Sequence, residues 1–174
     1  MHYNVPNEFL EKYCFFQIHK YHRRSAKMTN KVQIGRTDLV VNPVGMGTNK
    51  IGGHNLFPNL DEEAGKNAVR YAIDHGIDFI DTAYLYEKGR SEELIGEVVE
   101  ETGKRSELVL ATKISPVFTE DGMINNNNPD FLKQEVEKSL KRLKTDYIDL
   151  MYIHYPDEDT PKAEAVGALQ ELKD

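Results

Sequence analysis

The sequence predicts an α/β fold built on parallel strands, and three observations carry that reading. Short apolar runs alternate with amphipathic helical stretches four times between residues 43 and 174. A hairpin pattern precedes them, and three of the apolar runs close on a polar residue: Asp81, Lys113 and His154. Strict strand-helix alternation implies parallel strands joined by right-handed crossovers. The residue pattern alone leaves two architectures open, a doubly wound sheet or part of a (β/α) barrel.

Each element has a local reason. KVQIG and LVVNP flank the turn residues Arg36, Thr37 and Asp38, which reads as a short hairpin. PVGMGT (43–48) reads as the first buried strand. Residues 61–75 read as a helix: Ala64, Ala68 and Ala72 recur at i, i+4 and i+8 beside Val69 and Ile73, and Gly76 stands where a C-cap belongs. IDFIDTA (77–83) is the second strand. Ser91 is the expected N-cap of the next helix, Glu92 and Glu93 suit its positive dipole end, and Leu94, Ile95, Val98 and Val99 form its apolar face. ELVLATKI (107–114) is the third strand.

Residues 115–128 read as a polar loop with a low-complexity NNNN run, ending in an Asn128 cap and Pro129 at the first helical position. Leu132, Val136, Leu140 and Leu143 make the expected buried stripe of that helix. YIDLMYIHY (147–155) is the fourth strand, and Thr160 with Pro161 opens a last helix reaching the final residue.

Composition narrows the function classes. A net charge of −7 argues against a nucleic-acid partner, whose binders carry a basic footprint. No stretch approaches the ~20 apolar residues of a membrane helix, so no membrane association is expected. Residues 1–27 differ from the rest, with five Lys or Arg against Glu8 and Glu11. They read as a basic leader, disordered or preceding a true start at Met28, and distinct from the domain over 28–174. Their apolar core YCFFQI is too short for a signal peptide and lacks a small-residue cleavage site. His19 and His22 supply only two ligands, so no metal site is expected. Cys14 is the only cysteine, which excludes an intrachain disulfide and fits a cytoplasmic location.

The polar strand ends hold the chemistry. Active sites of parallel α/β folds form at the carboxyl edge of the sheet, where Asp81, Lys113 and His154 would meet Tyr86 from the loop after the second strand. A buried lysine wants a carboxylate, so Lys113 is expected to pair with Asp81. A phenol with a pKa of ~10 is a weak acid near neutrality, and a cation close by would bring it toward working pH. His154 could then donate to a carbonyl oxygen. The set suits protonation of an oxygen that gains negative charge.

GMGTNKIGGHNLFPNLDEE, GIDFIDTAYLYEKGRSEELIG, VLATK and RLKTDYIDLMYIHYPD together resemble the aldo-keto reductases, in particular bacterial members associated with inositol catabolism. The resemblance runs from about Lys31 to Asp174. It implies the N-terminal half of a (β/α)8 TIM barrel, about four βα units after a β-hairpin, and reduction of an aldehyde or ketone with NADP(H), or alternatively NAD(H). It further implies Tyr86 as general acid, Lys113 lowering its pKa, Asp81 pairing with Lys113, His154 positioning the carbonyl, and Thr48, Asn49 and Asp81 near the cofactor.

Two departures accompany it. Glu87 follows the tyrosine where the family usually has glycine. The ~250 residues of a whole barrel are not present, nor are the family's main cofactor loops, and GMGTNKIGG has the spacing of neither common phosphate loop. A catalytically silent, truncated chain that keeps the four residues without holding cofactor is therefore the alternative expectation. Open barrel edges predict self-association.

Overall fold

The computed structural model describes residues 30–173, and the leader read over 1–27 lies outside them. Strands β1 (Val32–Gln33) and β2 (Val40–Val41) pair antiparallel, as the hairpin pattern predicts. Ile34 N donates to Leu39 O at 2.9 Å and closes the turn.

A four-stranded parallel sheet follows, with β3 (Met46–Gly47), β4 (Phe79–Asp81), β5 (Val109–Ile114) and β8 (Leu150–Ile153) side by side in that order. The strands are shorter than the apolar runs that announce them. Register puts Met46, Ile80 and Leu110 abreast, and Gly47, Asp81, Ala111 and Leu150 abreast one residue later. Because successive side chains alternate faces, the row of Met46 is directed outward to the helices, and the row of Asp81 inward along with Lys113 and Tyr152.

Helices α1 (Asn49–Gly52), α2 (Glu62–Asp74), α3 (Arg90–Thr102), α4 (Pro129–Leu143) and α5 (Lys162–Gln170) belong to the connections that follow β3, β4, β5 and β8. Asp61 caps α2 by accepting from Ala64 N at 2.9 Å, and Asn128 caps α4 by accepting from Asp130 N at 3.0 Å. The expected Ser91 cap is corrected: left-handed Gly89 occupies the cap position of α3, and Ser91 lies one residue inside the helix, its hydroxyl taken up by tertiary bonds. Thr160 does not cap α5 either, since its N–H and hydroxyl both donate to Asp157, and the helix stops at Gln170.

The residue 115–128 loop is another correction. Pro116–Thr119 (β6) and Gly122–Asn125 (β7) form an antiparallel hairpin, with Val117 opposite Ile124 and Phe118 opposite Met123. Its alternation is too short, and its outward apolar residues too exposed, to stand out in the sequence.

The main core joins Met46, Ile51, Val69, Ile80, Leu94, Ile95, Val98, Leu110 and Leu143 on the outer face of the sheet. Burying each large aliphatic side chain stabilises by roughly 1.5–3 kcal/mol. On α4, Leu132 and Leu143 are fully buried, but Glu135 and Ser139 share that face while Val136 and Leu140 are only partly covered. The helix is rotated because it meets α3 through an ion pair, Arg142 Nε to Glu92 Oε2 at 2.5 Å, with Glu92 fully buried. Gly96 permits the close approach, since a Cβ there would overlap the backbone carbonyl of Arg142.

Candidate active site

The register of β4 and β5 places Asp81 and Lys113 on the inner face at the carboxyl edge, two residues apart along neighbouring strands. Lys113 Nζ donates to Asp81 Oδ1 at 2.7 Å and to Thr82 O at 2.8 Å. Its side chain is 16% exposed and that of Asp81 35%, so the pair sits at the edge of solvent with one carboxylate oxygen uncommitted to Lys113. The ammonium stands 5.6 Å from the ring centre of Tyr86 and 6.0 Å from that of Tyr152. His154 follows β8, its N–H donating to Ile114 O at 2.7 Å. The four residues singled out in the sequence thus converge on one edge.

Their electrostatics differ from expectation at Tyr86. Burial pushes the phenol above its usual range, and the Asp81 carboxylate adds to the rise. Lys113, paired with Asp81 at 2.7 Å and 5.6 Å from the ring centre, does not reverse that rise. Burial, then the Lys113 charge, holds the His154 imidazole below its ordinary value, so the ring is neutral at pH 7. Its Nδ1 is enclosed without a hydrogen-bond partner, and the ring stacks on Tyr155 at 4.5 Å.

Thr48 and Asn49 part company. Thr48 is fully buried; its N–H and hydroxyl each donate to Asp81 O at 3.1 Å. Ser91 Oγ donates to Thr48 O and Oγ1 at 3.0 Å and accepts from Thr82 Oγ1 at 3.1 Å. Thr48 therefore fixes the backbone under Asp81 and presents no surface of its own. Asn49 is exposed at the start of α1.

Sequence reasoning passed over the supports. Asn127, inside the run read as low-complexity, donates to Ser115 Oγ at 2.6 Å and Tyr155 O at 3.1 Å, and accepts from Asp157 N at 2.7 Å. It anchors the loop carrying His154. Residues 87–89 are all left-handed, with φ of 50° at Glu87, 53° at Lys88 and 94° at Gly89. That turn explains why glycine suits position 87, and Glu87 holds the conformation against its own Cβ.

A cavity of about 420 Å³ opens on the inner face beside Gly47, Phe79, Asp81 and Tyr152. A larger one of about 560 Å³ lies at the opposite, amino-terminal edge beside Asp78 and Asp149 and contains none of the four site residues. Of the four site residues only Asp81 lines the inner-face cavity, whose other walls come largely from the hairpin and the first parallel strand, Val32, Ile34, Val41 and Met46 among them. The uncommitted carboxylate oxygen of Asp81 is an acceptor of the kind a ribose hydroxyl needs. No group of three or more candidate metal ligands occurs among the described residues. No helix among them is long and apolar enough to cross a membrane.

Comparison with known proteins gives a consistent answer. The chain is 40% identical over 141 residues to aldo-keto reductase YhdN of Bacillus subtilis, covering 81% of this chain and 42% of the relative. It is 34% identical to an NADH-specific methylglyoxal reductase of Escherichia coli, over 82% of this chain and 48% of that protein. The holo form of aldo-keto reductase AKR11C1 from Bacillus halodurans superposes with a TM-score of 0.73 at 34% identity, covering 82% of this chain and 46% of the other. The chain spans about half the length of the relatives it matches, and its parallel sheet and helices correspond to the N-terminal half of their (β/α)8 barrel. A model of the Aldo/keto reductase family matches residues 43–174, and the chain belongs to that family.

Proposed function

We propose that this chain carries the proton-delivering half of a nicotinamide-dependent reductase that converts aldehydes or ketones to alcohols. The observation that carries the reading is the Lys113–Asp81 pair at 2.7 Å, set beneath the ring of Tyr86 at the carboxyl edge of the sheet. A nicotinamide cofactor contributes a hydride when bound; NADP(H) is the proposed form and NAD(H) the alternative, with Asp81 and Asn49 as the contacts this chain can offer. Relatives support both forms, one being described as an NADP(+) enzyme and another as NADH-specific.

Tyr86 gives its phenolic proton to the substrate oxygen as negative charge develops there. Its raised pKa keeps it protonated throughout the neutral range, which is the state a donor needs. Neutral His154 orients the carbonyl by a ring N–H; with Nδ1 enclosed, Nε2 is the nitrogen left to do so. Lys113 supplies positive charge beneath the reacting oxygen, and Asp81 holds it there. The setting proposed is cytosolic.

The test is carbonyl-dependent loss of reduced-cofactor absorbance, abolished by Tyr86→Phe. Absence of any cofactor affinity at millimolar concentration would favour the silent chain instead. One further observation bears on association: Tyr152 is 41% exposed on the inner face, beside an edge of β8 that pairs with no other strand among the described residues. We propose that the isolated chain pairs with a second copy through that edge, and a well-folded monomer in sedimentation at micromolar concentration would overturn this.

A further inference from the structure

We propose that Asn55 is a positioning residue for Tyr86, clamping the backbone on both sides of the tyrosine; the functional part of this inference rests on Tyr86 being the proton donor. Asn55 Nδ2 donates to Leu85 O at 2.9 Å, and Asn55 Oδ1 accepts from Glu87 N at 2.8 Å. A single side-chain amide thereby spans the residue that carries the phenol, as a neighbouring strand would.

The loop needs such a support. Tyr86 opens a turn in which Glu87, Lys88 and Gly89 are all left-handed, a conformation that two of the three disfavour. The loop's own bonds at Tyr86 are long, with Tyr86 N to Ala83 O at 3.2 Å and Ser91 N to Tyr86 O at 3.3 Å, and Arg90 N to Glu87 O closes the turn at 3.0 Å. Those from Asn55 are shorter and come from outside the turn.

Asn55 is itself held in place. Leu56 N and Phe57 N both donate to Gly53 O, at 2.9 and 3.0 Å, and fully buried Ile51 roots the short helix before them. Gly53 runs so close to the tyrosine that a Cβ added there would lie 3.6 Å from Tyr86 Cβ. His54, the residue before Asn55, meets Glu62 Oε1 at 3.0 Å, and Arg90 Nε donates to that same oxygen at 2.9 Å. The 53–57 turn is therefore tied to both ends of the catalytic loop. Asn55 is exposed and belongs to no hydrophobic cluster, so its side chain serves the loop and not the core.

The experiment compares the chain with Asn55→Ala, which loses both bonds, and Asn55→Asp, which keeps only the acceptor for Glu87 N–H. Amide hydrogen exchange at Glu87 is read by NMR alongside the thermal midpoint, kcat and KM. The clamp predicts Glu87 exchange at least tenfold faster in Asn55→Ala and near the parent rate in Asn55→Asp, with the melting point within about 3 °C of the parent. It also predicts kcat down about tenfold in Asn55→Ala at nearly constant KM, a transition-state signature that general loosening would not give. Unchanged Glu87 protection, or faster exchange spread over all helices with a large fall in melting point, would overturn the proposal. If the parent chain shows no turnover, the reductase reading fails by itself, while Glu87 exchange still decides whether Asn55 holds the loop.

Discussion

Lys113 reaches across from β5 to Asp81 at the end of β4, and the same ammonium also donates to the carbonyl of the next residue, Thr82. One side chain thus locks two neighbouring strand ends beneath the phenol of Tyr86, and the remaining site residues take their places around that lock.

Replacing Asp81 by Asn keeps the shape but leaves Lys113 without a counter-charge. Carbonyl reduction should fall about 100-fold. Stability should change by only about 1 kcal/mol because the carboxylate is 35% exposed. Cofactor-absorbance assays and urea unfolding measure the two effects, and an undiminished rate would remove the ion pair from the mechanism.

His154 should titrate below the ordinary imidazole value, since burial and Lys113 both oppose its charge. The sign follows from linkage: the unfolded chain binds the proton more readily, so this contribution is complete above about pH 6.5 and is lost as pH falls through that value toward the folded one. NMR titration of the ring proton checks the direction; an apparent pKa above 6.5 would contradict it.

Glu62 offers another acid-sensitive link. Hydrogen bonding to Arg90 is the leading cause holding its carboxyl at about 2, against 4.5 for the free group. Its contribution is present above pH 4.5 and disappears as pH falls toward 2. With the side chain 32% exposed, solvent screening limits the effect to about 1 kcal/mol. Glu62→Gln should flatten the stability profile over that window in denaturant titrations at pH 7, 4 and 3.

Arg142→Ala should be far more damaging than its place on a helix surface implies. It strands the fully buried carboxylate of Glu92, leaving Thr112 Oγ1 at 2.7 Å as its hydrogen-bond donor. Breaking one side of a buried pair costs about 3–5 kcal/mol. Chemical denaturation should register the loss, and the double replacement Glu92→Met with Arg142→Met should recover much of it.

Glu87→Gly should stabilise the turn by about 0.5–1 kcal/mol, since Glu87 sits at φ 50° where glycine meets no Cβ penalty. A raised thermal midpoint would support this. A lowered one would show that the Glu87 side chain makes a compensating contact.

Legible from the residues alone were the four parallel strands with the long helices between them, the hairpin at Val32 to Val41, the Asn128 cap and the four residues at the carboxyl edge, though not the second hairpin over Pro116 to Asn125. These follow from local signals: periodicity over a few turns, a capping residue beside its helix, a polar side chain closing an apolar run. Tertiary structure decided what depends on partners far along the chain. Glu92 has the sequence position of a dipole residue and is buried because Arg142, fifty positions later, reaches it. Ser91 has the position of a cap and instead bonds Thr48, forty-three positions earlier. Asn127 belongs to a featureless run and holds Tyr155 and Asp157. The acidity of Tyr86 is set likewise, by how deeply the folded chain buries the phenol and how near it brings the Asp81 carboxylate, which no spacing of residues encodes.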